Sequence, residues 1–127
     1  MIVNRRDLDF VLYETLGLDK ILESDHYADY DRESLDSMLD LCQTIAEDQF
    51  LTCASKLDAN EPQFVDGKVE TISELKDAIV AYQEAGLCAS AYDADIGGLQ
   101  LPWMADQALN GMFICANNPA HIYLFLT

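Results

Sequence analysis

From Asp31 to Ala54 the chain meets neither glycine nor proline, and its apolar residues fall at helical spacing. Leu35, Met38, Leu39, Cys42, Ile45, Ala46, Phe50, Cys53 and Ala54 form one stripe of about six turns. Asp31 supplies a side-chain acceptor for the first free N–H groups, so the pattern predicts a long helix starting there. Glu33, Asp36, Asp40, Glu47 and Asp48 mostly lie off the stripe. Glu33 and Asp36 also sit where the helix dipole favours negative charge. A helix with one apolar face must bury it against other elements, which directs the fold toward helices packed on helices.

The remaining segments read the same way. Leu8, Val11, Leu12, Thr15 and Leu16 predict a first helix over Asp7–Leu16, stopped by Gly17. Asp19 to Glu23 gives one further turn, and Asp25 to Tyr30 reads as a loop. Asp58 to Glu70 is a connector broken by Asn60, Pro62 and Gly67, with room for a short hairpin over Val65–Val69. Thr71-Ile72-Ser73-Glu74 has the pattern of a capping box, opening a helix that carries Leu75, Ile79, Val80 and Tyr82 to a Gly86 C-cap. Pro102 suits the first turn of another helix, with Trp103, Met104, Ala108, Leu109, Met112, Phe113 and Ala116 on one wide face. Asn117-Asn118-Pro119 breaks it, and a further helix starts over Ala120–Leu126. No alternating strand runs appear, so the expected fold is an all-α helical bundle, and 127 residues make one domain.

Charge excludes several partners. Acids outnumber bases 23 to 7, for a net charge of −16, which does not suit nucleic acid or an anionic membrane surface. Sixteen acids precede Gly67, no basic residue follows Lys76, and no charged residue follows Asp106. The N-terminal half is therefore expected to face water. Residues 107–127 approach the length of a bilayer span, but Asn110, Asn117, Asn118, Pro119 and His121 argue against a membrane span. Asp7 follows Arg5 and Arg6 with no apolar leader segment, so the expected location is cytoplasmic.

Motif by motif, structural readings prevail. Asp93-Ala94-Asp95-Ile96-Gly97-Gly98 and Asp29-Tyr30-Asp31-Arg32-Glu33 suggest calcium, but the first has Met104 at the closing-acid position and the second has Ser34 where a turn glycine belongs. A turn and a helix cap fit better. Gly97-Gly98 lacks the further glycine or Lys-Ser pair of a phosphate cradle, and reads as a tight turn that lets two helices approach. Glu33-Ser34-Leu35-Asp36 resembles the attachment segment of acyl carrier proteins, with Ser34 as the phosphopantetheine carrier. Cys42, Cys53, Cys88 and Cys115 form no C-x-x-C pair and read as buried free thiols, without metal or disulfide. His26 and His121 have no Ser or Cys partner at a recognisable spacing, which leaves no nucleophilic triad; His121 reads as a satisfied core histidine.

Ala85-Gly86-Leu87, followed by Asp95-Ile96-Gly97-Gly98-Leu99-Gln100-Leu101-Pro102, resembles the helix end, crossing and glycine turn late in the N-terminal helical domain of acyl-CoA dehydrogenases. Leu12–Leu16, Tyr27–Glu33 and Ala116-Asn117-Asn118-Pro119-Ala120 resemble the bacterial members with an extended N-terminus, the group that includes 3-methylmercaptopropionyl-CoA dehydrogenase. Ile96, Asp95 and Gln100 depart from the usual tyrosine, glutamate and second loop glycine. Asn110-Gly111 stands where many members have acidic or small residues.

The resemblance implies that residues 1–127 are the N-terminal α-helical domain, with 1–30 as an extension and the β and second helical domains outside this sequence. The parent protein would oxidise an acyl-CoA, passing hydride to FAD, as part of fatty acid metabolism. Neither FAD nor a catalytic residue is expected on this chain alone. The expected partners are acyl-CoA in the parent protein, the remaining dehydrogenase domains, and a possible homo-oligomer. By position, Asn117, His121, Ile122 and Phe125 would wall the acyl site. Gly86, Gly97 and Gly98 would form the structural turn. The other readings are a stand-alone acidic helical interaction module and a carrier using Ser34.

Overall fold

The computed structural model describes residues 2–125. The first helix, α1 (Arg5–Asp9), opens on Asn4, whose side chain accepts from the Arg6 N–H. It runs directly into a π-helical turn, Phe10–Thr15, in which the Leu16 N–H reaches back five residues to the Val11 carbonyl at 2.9 Å. The wider turn changes which residues face inward. Leu12 and Tyr13 are buried, whereas Val11 and Leu16, expected on the apolar face, are largely exposed. Gly17 then takes a left-handed conformation (φ 69°) and starts α2 (Leu18–Leu22), whose Leu18 is fully buried.

The long helix begins as its sequence requires. The Asp31 side chain accepts from the Ser34 N–H at 2.8 Å, and the Ser34 hydroxyl accepts from the Asp31 N–H at 2.9 Å, closing a capping box on α3 (Arg32–Ile45). The Ser34 hydroxyl also donates to the Asp31 carbonyl, so the would-be carrier serine is committed to the helix cap. A second π-helical segment, Ala46–Leu51, separates α3 from α4 (Thr52–Ala59). Leu35, Leu39, Cys42, Ala46, Phe50, Cys53 and Leu57 keep one buried stripe across all three.

A two-stranded antiparallel hairpin follows: β1 (Gln63–Val65) and β2 (Lys68–Glu70), with Phe64 opposite Val69. Its turn residues Asp66 (φ 49°) and Gly67 (φ 80°) both have positive φ, which fits the right-handed twist of a tight hairpin. The next helix, α5 (Ser73–Glu84), starts after Ile72 with no side-chain cap. The expected Thr71–Glu74 capping box does not form. Thr71 donates to the neighbouring Ile72 carbonyl, and Glu74 instead pairs with Lys56 Nζ and the Ser73 hydroxyl. Gly86 (φ 75°) ends α5 as expected.

The last helix, α6 (Trp103–Phe125), receives its first carbonyl bond from the Asp106 N–H to Pro102, so the proline caps the helix rather than joining its first turn. At Asn117 the backbone leaves helical geometry (φ −163°, ψ 86°), which is the break expected before Pro119. The expected helix end at Leu126 lies outside the described residues. Trp103, expected on the inner face, is 67% exposed, because Ala105, Leu109, Met112, Phe113 and Ala116 take that face.

The all-α expectation holds, with the small hairpin as the departure. The core centres on Phe50, Tyr82 and Phe113, whose rings meet edge-to-face at 4.9–6.4 Å. Leu12, Tyr13 and Leu18 join this same core, and Ile2, Val3, Leu8 and Tyr30 pack against it. Tyr13 also donates to Asp36 at 3.0 Å, and Arg32 lies 3.9 Å over the Tyr13 ring. Cys42 and Cys53 are buried as expected, but Cys88 and Cys115 are exposed: Cys88 lies in a short 3-10 turn, and Cys115 points away from the core between Phe113 and Ala116. Among the described residues, no helix is long and apolar enough to cross a membrane.

Candidate functional site

Residues 86–102 form the crossing between α5 and α6, and backbone bonds hold it closed on itself. Leu99 N–H donates to the Ala89 carbonyl, Gln100 N–H to Tyr92, and Leu101 N–H to Ser90, at 2.8–3.1 Å. Gly97 (φ 88°) and Gln100 (φ 53°) are left-handed within it. Gly98 has a different reason to be glycine. A Cβ there would stand 2.0 Å from the Tyr92 carbonyl oxygen. The close approach is therefore within the crossing, between Gly98 and Tyr92, rather than between two helices. The Gly97 and Gly98 N–H groups bond to the Ala94 and Asp93 carbonyls, so neither is directed at a phosphate.

The crossing places Ser90 against the first turn of α6. The Ser90 hydroxyl donates to Asp106 Oδ1, while Gln107 Nε2 and Asn110 Nδ2 donate to Asp106 Oδ2 at 3.0 and 3.1 Å. Asn110 Nδ2 also donates to the Asp106 carbonyl at 3.0 Å, which fixes the amide's orientation. Asn110 Oδ1 then accepts from Tyr82 Oη at 3.2 Å and lies 3.0 Å from His121 Nε2. Since Oδ1 can only accept, His121 carries its proton on Nε2 here. Ser90, Tyr82, Asp106, Asn110 and His121 are all buried, so this is a satisfied polar chain inside an apolar core. Burial pushes the Tyr82 hydroxyl pKa up; it pushes the His121 pKa below 6.5, with Asp106 opposing.

The chain holds Ser, His and Asp together without making a nucleophile. Asn110 stands between His121 and Asp106, and Ser90 donates to the carboxylate rather than to the imidazole. The network is not legible in the sequence segment by segment. Its one local signal is that Asp106 and Asn110 lie four residues apart on an otherwise apolar helix.

The four residues expected along an acyl wall divide into two groups. Asn117 is buried: its Nδ2 donates to the Phe50 carbonyl at 3.1 Å, and its Oδ1 accepts from the Ala120 N–H at 3.2 Å. His121 is buried in the polar chain and stacks on Phe113, with ring centroids 6.0 Å apart and planes 8° from parallel. Ile122 and Phe125 are exposed on different sides. Ile122 lines an apolar groove of about 390 Å³ with Leu57, Pro62, Pro119 and Tyr123. Phe125 lies 5.9 Å from the His121 ring and borders a cavity of about 210 Å³ over Asp106, with Tyr92 and Trp103.

None of these spaces fits FAD. The cleft beside the hairpin measures about 630 Å³, but Asp58, Glu61 and Glu70 line it and no Lys or Arg does. The cavity at α6 is lined by Asp106 and by no Lys or Arg. A flavin pyrophosphate needs cations or free N–H groups, and these residues offer carboxylates. Among the described residues, no group of three His, Cys, Asp or Glu side chains could hold a metal.

No protein-family model matches the chain. The chain is similar to the broad-specificity linear acyl-CoA dehydrogenase FadE5 of Mycobacterium tuberculosis, with 30% identity over 123 residues. The match takes in 94% of this chain and 20% of that protein, so the chain spans about a fifth of its relative's length. This likeness supports the acyl-CoA dehydrogenase family, without resolving a subgroup.

Proposed function

We propose that this chain is the N-terminal helical domain of an acyl-CoA dehydrogenase-like flavoprotein. The observation that carries the reading is the 30% identity to FadE5 across 94% of the chain. The Gly86–Pro102 crossing and the all-α fold support it. In this reading the parent protein removes hydrogen from the α and β carbons of an acyl-CoA, and FAD supplies the hydride chemistry. The flavin and the base that takes the α-proton are assigned to the remaining domains; the hairpin cleft and the α6 cavity, which carry carboxylates and no Lys or Arg, support that assignment.

The domain's own task is structural. Its α6 presents Ile122 and Phe125 outward to pack against the acyl chain and the neighbouring domains. Asn117 and His121 act from beneath, by fixing the direction in which α6 leaves its break. This chain alone is catalytically inert, and its setting is cytoplasmic.

The test is recovery of the native protein from its source cells with an antibody raised against this chain. A longer, yellow, FAD-containing polypeptide supports the reading. A flavin-free protein of 14.2 kDa contradicts it.

A further inference from the structure

The cavity beside α6 combines three features, of which the domain reading uses only Phe125. Its floor carries Asp106, 4% exposed, whose two oxygens accept from Ser90, Gln107 and Asn110. All three donors are neutral. Among the described residues no Lys or Arg pairs with Asp106, and none follows Lys76 anywhere in the sequence. Neutral hydrogen bonds orient a carboxylate but leave its charge uncompensated inside the fold. Its mouth carries three aromatic side chains, Tyr92, Trp103 and Phe125, each more than half exposed. Aromatic faces attract cations, and most strongly where water is partly excluded. The space between floor and mouth is about 210 Å³, enough for one small head group and a short stem.

We propose that this cavity binds an organic cation, a guanidinium or ammonium group on a short apolar stem, with the head on Asp106 and the stem between Trp103 and Phe125. The carboxylate is already held in place by Ser90, Gln107 and Asn110, so its orientation is set before a cation arrives. The overall charge of −16 draws cations toward the chain, while the buried carboxylate and the aromatic mouth select the ones that carry an apolar stem. The shared chemistry is the cationic head, whether free in solution or borne on an arginine of another polypeptide.

The test titrates the full 127-residue chain with n-butylguanidinium, its neutral isostere n-butylurea, and arginine capped at both ends, following amide NMR shifts at Asn110 and Trp103. Saturable n-butylguanidinium binding is expected, with n-butylurea at least about tenfold weaker. Saturation by capped arginine of comparable strength assigns the site to a chain-borne side chain, and its failure beside n-butylguanidinium assigns it to a free cation. Asp106→Asn should weaken n-butylguanidinium by about tenfold or more, and Asp58→Asn, which removes the same charge elsewhere, should leave it unchanged. Trp103→Ala, at a position 67% exposed, should weaken it about threefold without touching the fold. Trp103→Ala carries the test alone if Asp106→Asn does not fold. No saturation by either cation, equal binding of the urea, equal loss in the Asp106 and Asp58 variants, or full binding by Trp103→Ala would each overturn the proposal.

Discussion

Asn117 Nδ2 donates to the carbonyl of Phe50 at 3.1 Å, joining two points 67 residues apart in the chain. Each end is an irregularity. Phe50 lies in the π-helical segment between α3 and α4, and Asn117 is the non-helical residue within α6. A π turn displaces carbonyls from their usual partners, and a helix break exposes N–H groups. One side-chain amide serves both, because Asn117 Oδ1 also accepts from the Ala120 N–H. Asn117→Ala removes both bonds, and a third from Nδ2 to Cys53 Sγ at 3.6 Å, in a buried setting and should destabilise the domain by about 2–4 kcal/mol. Urea unfolding measures it, and a loss below about 0.5 kcal/mol would show that the two irregularities stand independently.

This link also marks where the sequence stops being legible. The Asp31 cap, the Gly86 stop, the Asp66-Gly67 turn and the break before Pro119 are local, written in residues that favour one backbone geometry. The π turns have no such residues. They arise because α6 must meet Phe50 and because Leu12 and Tyr13 must both reach the core. The Ser90–Asp106–Asn110–Tyr82–His121 chain was hidden for the same reason: its members lie on three segments that only the fold brings together. Thr71 shows the opposite case, a strong local cap signal outcompeted when Glu74 found Lys56.

Three glycines should respond differently to alanine. Gly98→Ala places a methyl carbon against the Tyr92 carbonyl and should open the crossing, with a loss of about 3 kcal/mol or more. Gly97→Ala meets no atom within 4 Å and suffers only its positive φ, for about 1 kcal/mol. Gly111→Ala, in open space within α6, should stabilise by about 0.5–1 kcal/mol. Thermal unfolding of the three variants checks the order, and a Gly98→Ala as mild as Gly97→Ala would contradict the described crossing.

His121 should make stability depend on pH. Burial holds its folded pKa below the ordinary 6.5, so below that value the unfolded chain takes up a proton that the folded chain refuses. The linked contribution is therefore complete above pH 6.5 and is lost as pH falls toward the folded value, with a slope of at most about 1.4 kcal/mol per pH unit. His121→Gln, which retains a donor for Asn110, should lose that component. The measurement is the difference in urea midpoint between the two proteins from about pH 7.5 to about pH 5.5. Parallel profiles would mean that the imidazole is not held neutral by burial.

The thiols should fall into two classes. Cys88 and Cys115 are exposed and should react at once with a disulfide reagent. Cys42 and Cys53 are buried, and burial pushes the Cys42 thiol up to about 12. Two thiols should titrate in the folded chain and four in denaturant. Rapid reaction of all four without denaturant would show that α3, α4 and α6 do not close over the core.

We propose that this domain serves an acyl-CoA-oxidising flavoprotein. The most direct measurement is anaerobic addition of acyl-CoAs of graded chain length to the native protein isolated from its own cells, followed at the flavin absorption bands. At least one acyl-CoA is expected to bleach the bound flavin, as hydride passes to FAD. A protein that carries this chain with bound flavin but shows no bleaching by any acyl-CoA, or one that carries no flavin at all, would contradict it.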